Sequence, residues 1–222
     1  MTTARHPRAP KLTALALHAV AVAFGLAFLA GAFEPWGSAF APDATPVRLW
    51  LLGGASVVYL VRFTITQFVL LKRPFPWEEA LFVGPWVAML QVGLVMLGGN
   101  VAGPLGWVAV AGAVLYAVGS YLNTASEAMR LVWKRDPAHQ GRIYDKGLFG
   151  YSMHINFFGD SLLFTGFAMI AGTWWAAIFP AVMTAMFVGY HIPRLDQHLA
   201  DHYGEQFRDY SARVKKFVPF VY

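Results

Sequence analysis

A chain of 222 residues that is 57% hydrophobic, 16% aromatic and only 13% charged, with a mean hydropathy of +0.49, is too apolar for an ordinary soluble globule, where charged residues run at about 25%. Disorder and coiled coil are excluded on the same ground, and the lack of cysteine removes disulfides, thiolate nucleophiles and zinc–thiolate sites. In such a chain the net charge of +5 reads first as the positive-inside signature of a membrane protein and not as a nucleic-acid footprint.

Arg5, Arg8 and Lys11 precede a first apolar run over residues 12–33. It is longer than the ~7–15-residue core of a signal peptide and further spans follow, so it is read as a retained helix. A second run, 48–71, contains Tyr59, Arg62, Thr66 and Gln67 and stops at Lys72-Arg73-Pro74. A third covers 79–97, and a fourth covers 104–122, with Pro104 suited to a helix N-terminus. A polar segment, 123–156, reads as a loop. Two apolar runs follow, 157–172 and 174–189, split by a Gly-Thr turn, and after Pro193 the tail reads as an amphipathic helix to about residue 213. The expected fold is therefore an all-α polytopic bundle of about six transmembrane helices with a cytoplasmic C-terminal amphipathic helix, one integral membrane domain over 1–222. No internal repeat or inverted half is visible, which argues against a transporter.

With both termini on one side, five groups of basic residues share that side: Arg5, Arg8 and Lys11; Lys72 and Arg73; Arg130, Lys134 and Arg135; Arg142 and Lys146; and those of the tail. Only Arg48 lies opposite. Both ends are accordingly expected in the cytoplasm, with the protein in a bacterial inner membrane. The two long polar stretches then fall on the cytoplasmic face, where a site for a charged, water-soluble ligand would be built.

Arg62 is the costly residue. An arginine within a span costs about 3 kcal/mol on insertion scales and faces a cavity or a partner. Tyr59, Arg62 and Thr66 share one helical face. A structural arginine reaching helix-end carbonyls is the plainer alternative. Gln91 and His18, each a lone polar residue in a span, read as satisfied packing contacts. Asn156 and Asp160 stand four apart at the start of the fifth helix, where the helix dipole favours a carboxylate. The neighbouring arginines and lysines suit phosphates or, more plainly, anionic lipid. On the tail helix Arg194, His198, Asp201 and His202 form a polar face. His198 and His202 have zinc-helix spacing but lack the accompanying Glu, so no metal is expected.

These residues resemble a known group. Asn123-x-x-Ser126-Glu127, Lys134, Arg142-Ile143, Gly147-Leu148-Phe149 and Asn156-Phe157-Phe158-Gly159-Asp160 are similar to the pattern of the steroid 5-alpha-reductase and sterol reductase family, whose superfamily includes the isoprenylcysteine carboxyl methyltransferases. The tail, Arg194-x-x-x-His198 and Phe207-Arg208-Asp209-Tyr210 through Val218-Pro219-Phe220, is similar too, and Arg194, Asp196, His198 and Tyr203-Gly204 resemble the sterol-reductase tail. The resemblance covers the C-terminal half, about 123–222. Tyr59-x-x-Arg62 resembles the reductase pair whose tyrosine hydrogen-bonds the substrate carbonyl.

The resemblance implies that Asn123, Glu127, Lys134, Asn156, Asp160, Arg194 and His198 contact NADPH, and that Tyr59, with Arg62 making it a better donor, polarises the carbonyl of a lipid-soluble enone entering from the bilayer. Two departures stand out. The family's Gln-Glu pair on an earlier helix has no counterpart, since no carboxylate lies inside the first two spans, which leaves Gln67 or His18 for that place. Ser152-Met153-His154-Ile155-Asn156 also stands where many bacterial relatives carry Ser-Arg-His-Pro-Asn. The competing readings are an S-adenosylmethionine-dependent methyltransferase acting on a lipid or prenylated substrate, and a non-enzymatic membrane protein whose tail binds a partner or anionic lipid. The basic residues favour the phosphate-bearing NADPH, because a sulfonium prefers aromatic or carbonyl surroundings.

Overall fold

A computed structural model describes residues 8–37 and 40–222. Arg5 of the basic head lies outside them. The described residues form helices and turns with no strand, as backbone in hydrocarbon demands, because every N–H and C=O there must be satisfied internally. The α-helices are α1 (Ala9–Leu29), α2 (Pro46–Ile65), α3 (Trp77–Gly99), α4 (Trp107–Trp133), α5 (Ile155–Ala171), α6 (Ile178–Met186), α7 (Ile192–Tyr203) and α8 (Glu205–Arg213). Five helical stretches are long and apolar enough to cross a membrane: Ala9–Leu29, Pro46–Leu70, Trp77–Gly99, Trp107–Trp133 and Trp174–Tyr203. The protein is thus a polytopic helical membrane protein. The expected count of about six includes α5, which has only 17 residues against the ~20 that a hydrocarbon core requires.

Three boundaries differ from the sequence reading. Residues 123–133 are not loop: α4 runs on to Trp133, because the polar stretch keeps good helix formers and a Glu127–Arg130 pair three residues apart. Pro193 does not separate a tail helix from the last span. The chain passes from α6 through a π turn, Phe187–His191, directly into α7, with proline in its first turn; the π turn loosens the hydrogen-bond ladder beside the position where proline lacks an N–H. The break comes later, at Gly204, whose φ of 54° is cheap only without a Cβ.

The chain divides into two compact units. One comprises the residues up to Val110 together with Phe167–Ala176, the other Ala111–Gly166 with Ala177–Tyr222. In the first, α1 and α3 run parallel in a constant register. A Cβ on Gly84 would meet Leu17 and Ala14, one on Gly25 would meet Val95, and one on Gly99 would meet Phe28; small residues let the two backbones approach. α2 runs antiparallel to α1, with Gly53 against Leu26 and Leu29 and the rings of Tyr59 and Phe63 against His18. Lys11 donates to the carbonyls of Gln67 (2.5 Å) and Leu71 (2.9 Å), a cation where the helix end presents negative carbonyls. Arg73 grips Glu79 with two nitrogens at 2.6 and 2.5 Å. Buried Arg48 donates to the carbonyls of Val101 (3.2 Å) and Pro104 (3.4 Å).

In the second unit α4 and α5 touch backbone to backbone. A Cβ on Gly119 would lie 2.4 Å from the Gly159 carbonyl oxygen, and one on Gly166 would lie 2.4 Å from that of Gly112. The two contacts stand seven residues apart on each helix, two turns of the same face. The chain's end folds back on the start of α5. The Met153 and His154 amides donate to the carbonyls of Lys215 (2.8 Å) and Lys216 (3.1 Å), and the Ser152 hydroxyl donates to that of Phe217 (2.7 Å). Met153, Phe207, Tyr210 and Val214 form the apolar cluster beneath.

Candidate functional site

The second unit gathers most of the residues singled out from sequence. Asn123, Glu127 and Arg130 follow one another down one face of α4, at offsets of four and seven, and Lys134 stands in the turn just past its end. The close approach at Gly159, whose Cβ would lie 2.6 Å from the Asn123 amide nitrogen, sets Asn156 beside this face. Asn123 Nδ2 donates to the Asn156 carbonyl (3.0 Å), and Asn156 Nδ2 donates to Glu127 Oε1 (3.0 Å). The other Glu127 oxygen accepts from Arg130. Below them Ser126, fully buried, donates to the Asn123 carbonyl.

A small cavity of about 70 Å³ opens on this network. Arg130, Lys134, His154 and Asn156 supply its polar lining, and Leu195, Leu199 and Tyr203 of α7 close one side. Lys134 Nζ donates to the Tyr203 hydroxyl at 2.7 Å. The same two residues border a larger open groove of about 450 Å³, whose far wall carries His139, Gly141 and His202. The Lys134–Tyr203 bond is therefore the partition between a chamber the size of one functional group and a groove the size of a small ligand. His139 is held for that groove by stacking on Trp133, with ring centroids 4.0 Å apart. Tyr210 donates to the Phe149 carbonyl at 2.7 Å. Burial pushes its phenol well above the usual range, which keeps this donor protonated.

Of the other expected residues, Asp160 lies half-buried one turn beyond Asn156 on α5. Arg194 and His198 are on the exposed side of α7. Arg194 donates to the Tyr190 hydroxyl, His198 stacks on His202, and neither lines the small cavity. Tyr59 and Arg62 belong to the first unit, where the guanidinium carbon of buried Arg62 sits 5.5 Å from the Tyr59 ring centroid.

Sequence reasoning missed the pair at the heart of the second unit. His154, 1% exposed, contacts Asp196 Oδ1 through Nε2 at 2.7 Å, while Lys216 Nζ reaches Asp196 Oδ2 at 2.9 Å. An ionised carboxylate only accepts, so His154 donates through Nε2–H. The three residues come from the start of α5, from α7 and from the tail. Only the tail's fold-back joins them, and no local spacing signals that.

Residues 81–214, more than half of the chain, match the family model described as protein of unknown function, DUF1295. The chain belongs to the DUF1295 family. That family lies in the steroid 5-alpha-reductase-like superfamily, in agreement with the broad resemblance read from the motifs. No curated protein matches the chain. The part shared with DUF1295 runs from α3 to the first residue after α8, so it contains the whole Asn123–Asn156–Glu127 network, both cavities and Asp196, while Tyr59 and Arg62 fall before it.

Proposed function

We propose that this DUF1295 protein is a membrane oxidoreductase that reduces a carbon–carbon double bond of a steroid-like or isoprenoid lipid enone with NADPH. The observation that carries the reading is the placement of Lys134 at the boundary between the small chamber and the larger groove, with Arg130 lining the chamber. Cations there fit the phosphates of a dinucleotide, and Glu127, Asn123 and Asn156, tied to one another, offer the fixed polar surface that orients a nucleotide.

NADPH, when bound, supplies the hydride. The chain's own residues hold it and prepare its partner. Lys134 and Arg130 hold phosphate, and Asn156 keeps its amide aligned through Glu127. Tyr59 donates its hydroxyl proton toward the substrate carbonyl, where negative charge develops, and Arg62 against its ring favours that donation. The buried surroundings of Tyr59, His18 and Phe63 exclude water and strengthen the donor. The substrate is lipid-soluble and enters from the bilayer. The distribution of lysine and arginine supports cytoplasmic termini in a bacterial inner membrane.

Tyr59→Phe removes the donor and preserves the ring packing. Turnover of an enone by the purified variant is expected to fall at least ~100-fold, the ordinary worth of a positioned acid, with NADPH affinity unchanged. Unaltered turnover takes Tyr59 out of the mechanism.

A further inference from the structure

The second unit holds an open groove of about 570 Å³ that the reductase reading does not use. α7 and α8 supply two of its walls, and the tail supplies a third through Lys215, Lys216, Val221 and Tyr222. Among the described residues the one acidic side chain that lines it is Asp196, and both of its oxygens are engaged, one by His154 at 2.7 Å and the other by Lys216 at 2.9 Å. An ammonium has three donors, so Lys216 keeps two of them for a ligand. The ammonium of exposed Lys215 has no partner among the described residues. Two lysines beside a carboxylate that is already satisfied suit an anionic oxygen.

Depth in the bilayer selects the kind of anion. A hydrocarbon core takes about 20 helical residues. Counted from Trp174, where the last membrane-crossing stretch begins, they end at Pro193, which lines the groove. Met153, also in its lining, stands two residues ahead of the apolar α5. The groove therefore opens in the headgroup layer, about 6 Å deep on each side of the core, where lipid phosphodiesters lie.

The end of the tail supplies an apolar part beside the lysines. Phe220, Val221 and Tyr222 are 76%, 74% and 51% exposed, and the Phe220 ring meets exposed Tyr151 edge to face at 5.7 Å. Phe220 holds a φ of 65°, an unfavourable backbone setting for a bulky residue. The segment leading to it is fixed, because Ser152, Met153 and His154 all donate to carbonyls of residues 215–217. Strained backbone that presents a phenyl ring to water gains nothing. Presented to acyl chains, the same ring is removed from water, and tyrosines at this depth are in their preferred layer. We infer that the groove and the aromatic end of the tail bind an anionic glycerophospholipid, with its phosphodiester on Lys215 and Lys216 and the upper part of its chains on Phe220 and Val221. The site uses none of the residues assigned to NADPH or to the enone, and it stands or falls independently of the proposed reaction.

Dioleoylphosphatidylglycerol and dioleoylphosphatidylcholine share their chains and differ in net charge. Their binding to the full-length protein in detergent, without nucleotide, is read by native mass spectrometry. Phosphatidylglycerol is expected to bind about tenfold more tightly, the worth of one charge-assisted contact. Lys215→Gln is expected to lower that ratio severalfold, whereas Lys72→Gln, an exposed lysine of the first unit, leaves it unchanged. Phe220→Asn, a residue that tolerates positive φ, should weaken both lipids severalfold. A ratio of one in wild type overturns the inference, as does a ratio unaffected by Lys215→Gln, or displacement of the lipid by millimolar inorganic phosphate, which marks a site for a free anion. A second measurement is independent of affinity. The chain has no cysteine, so Val221→Cys takes a single nitroxide label. In nanodiscs of phosphatidylglycerol the label is expected to be more accessible to oxygen than to a water-soluble nickel chelate. The reverse order places the tail in water, and exclusion of both reagents places a second copy of the chain over it; either result overturns the inference.

Discussion

Gly159→Val is expected to destabilise the protein by about 3 kcal/mol or more, the upper range of overpacking costs. The new Cβ would lie 2.6 Å from the Asn123 amide nitrogen and 2.8 Å from the Gly119 carbonyl oxygen. These are backbone atoms, which cannot turn aside as a flexible side chain does. Moving α4 away from α5 relieves the clash, but that movement breaks the Asn123–Asn156 and Asn156–Glu127 hydrogen bonds, so nucleotide binding should be lost with stability. Gly189→Ala is the control. A Cβ there meets nothing within 4 Å, and the change should stay within about 0.5 kcal/mol. Denaturant unfolding in detergent separates the two outcomes, and a Gly159→Val protein as stable as wild type contradicts the backbone-contact account of the site.

The second large effect concerns Asp196. Removing its carboxylate leaves the Nε2–H of buried His154 without an acceptor, and an unsatisfied buried donor costs about 1–3 kcal/mol. The Lys216 half of this arrangement, 43% exposed, contributes little by comparison. Asp196→Ala is therefore expected to cost about 2 kcal/mol, nearly all through His154. Asp196→Asn keeps an oxygen to accept from His154 and should recover more than half of that loss. Because His154 and Asn156 open the same stretch of α5, the alanine variant should also bind nucleotide more weakly. Equal stability of the alanine and asparagine variants would show that the His154 contact is idle.

The membrane class, most helix positions and the local clusters were legible because composition and period act locally. A bilayer imposes length and apolarity on each span separately, and four-residue spacings such as Asn123 with Glu127 already place side chains on one face. Two kinds of feature escaped. Helix limits escaped where polarity and helicity part company: α4 stays helical past Asn123 although its hydropathy falls, and Pro193 is absorbed into the first turn of α7. Long-range partners escaped because they depend on tertiary folding. Asp196 stands two residues from Arg194, on another face of the same helix, and nothing in that spacing says that one reaches His154 while the other is exposed.

Calorimetric titration of the full-length protein decides whether the α4–α5–α7 cluster recognises a phosphorylated dinucleotide, as proposed. NADPH is expected to bind more tightly than NADH, and Lys134→Ala to weaken NADPH about tenfold, as follows from loss of one charge-assisted contact. Binding of S-adenosylmethionine with no measurable binding of NADPH would contradict the proposal and favour a methyltransferase.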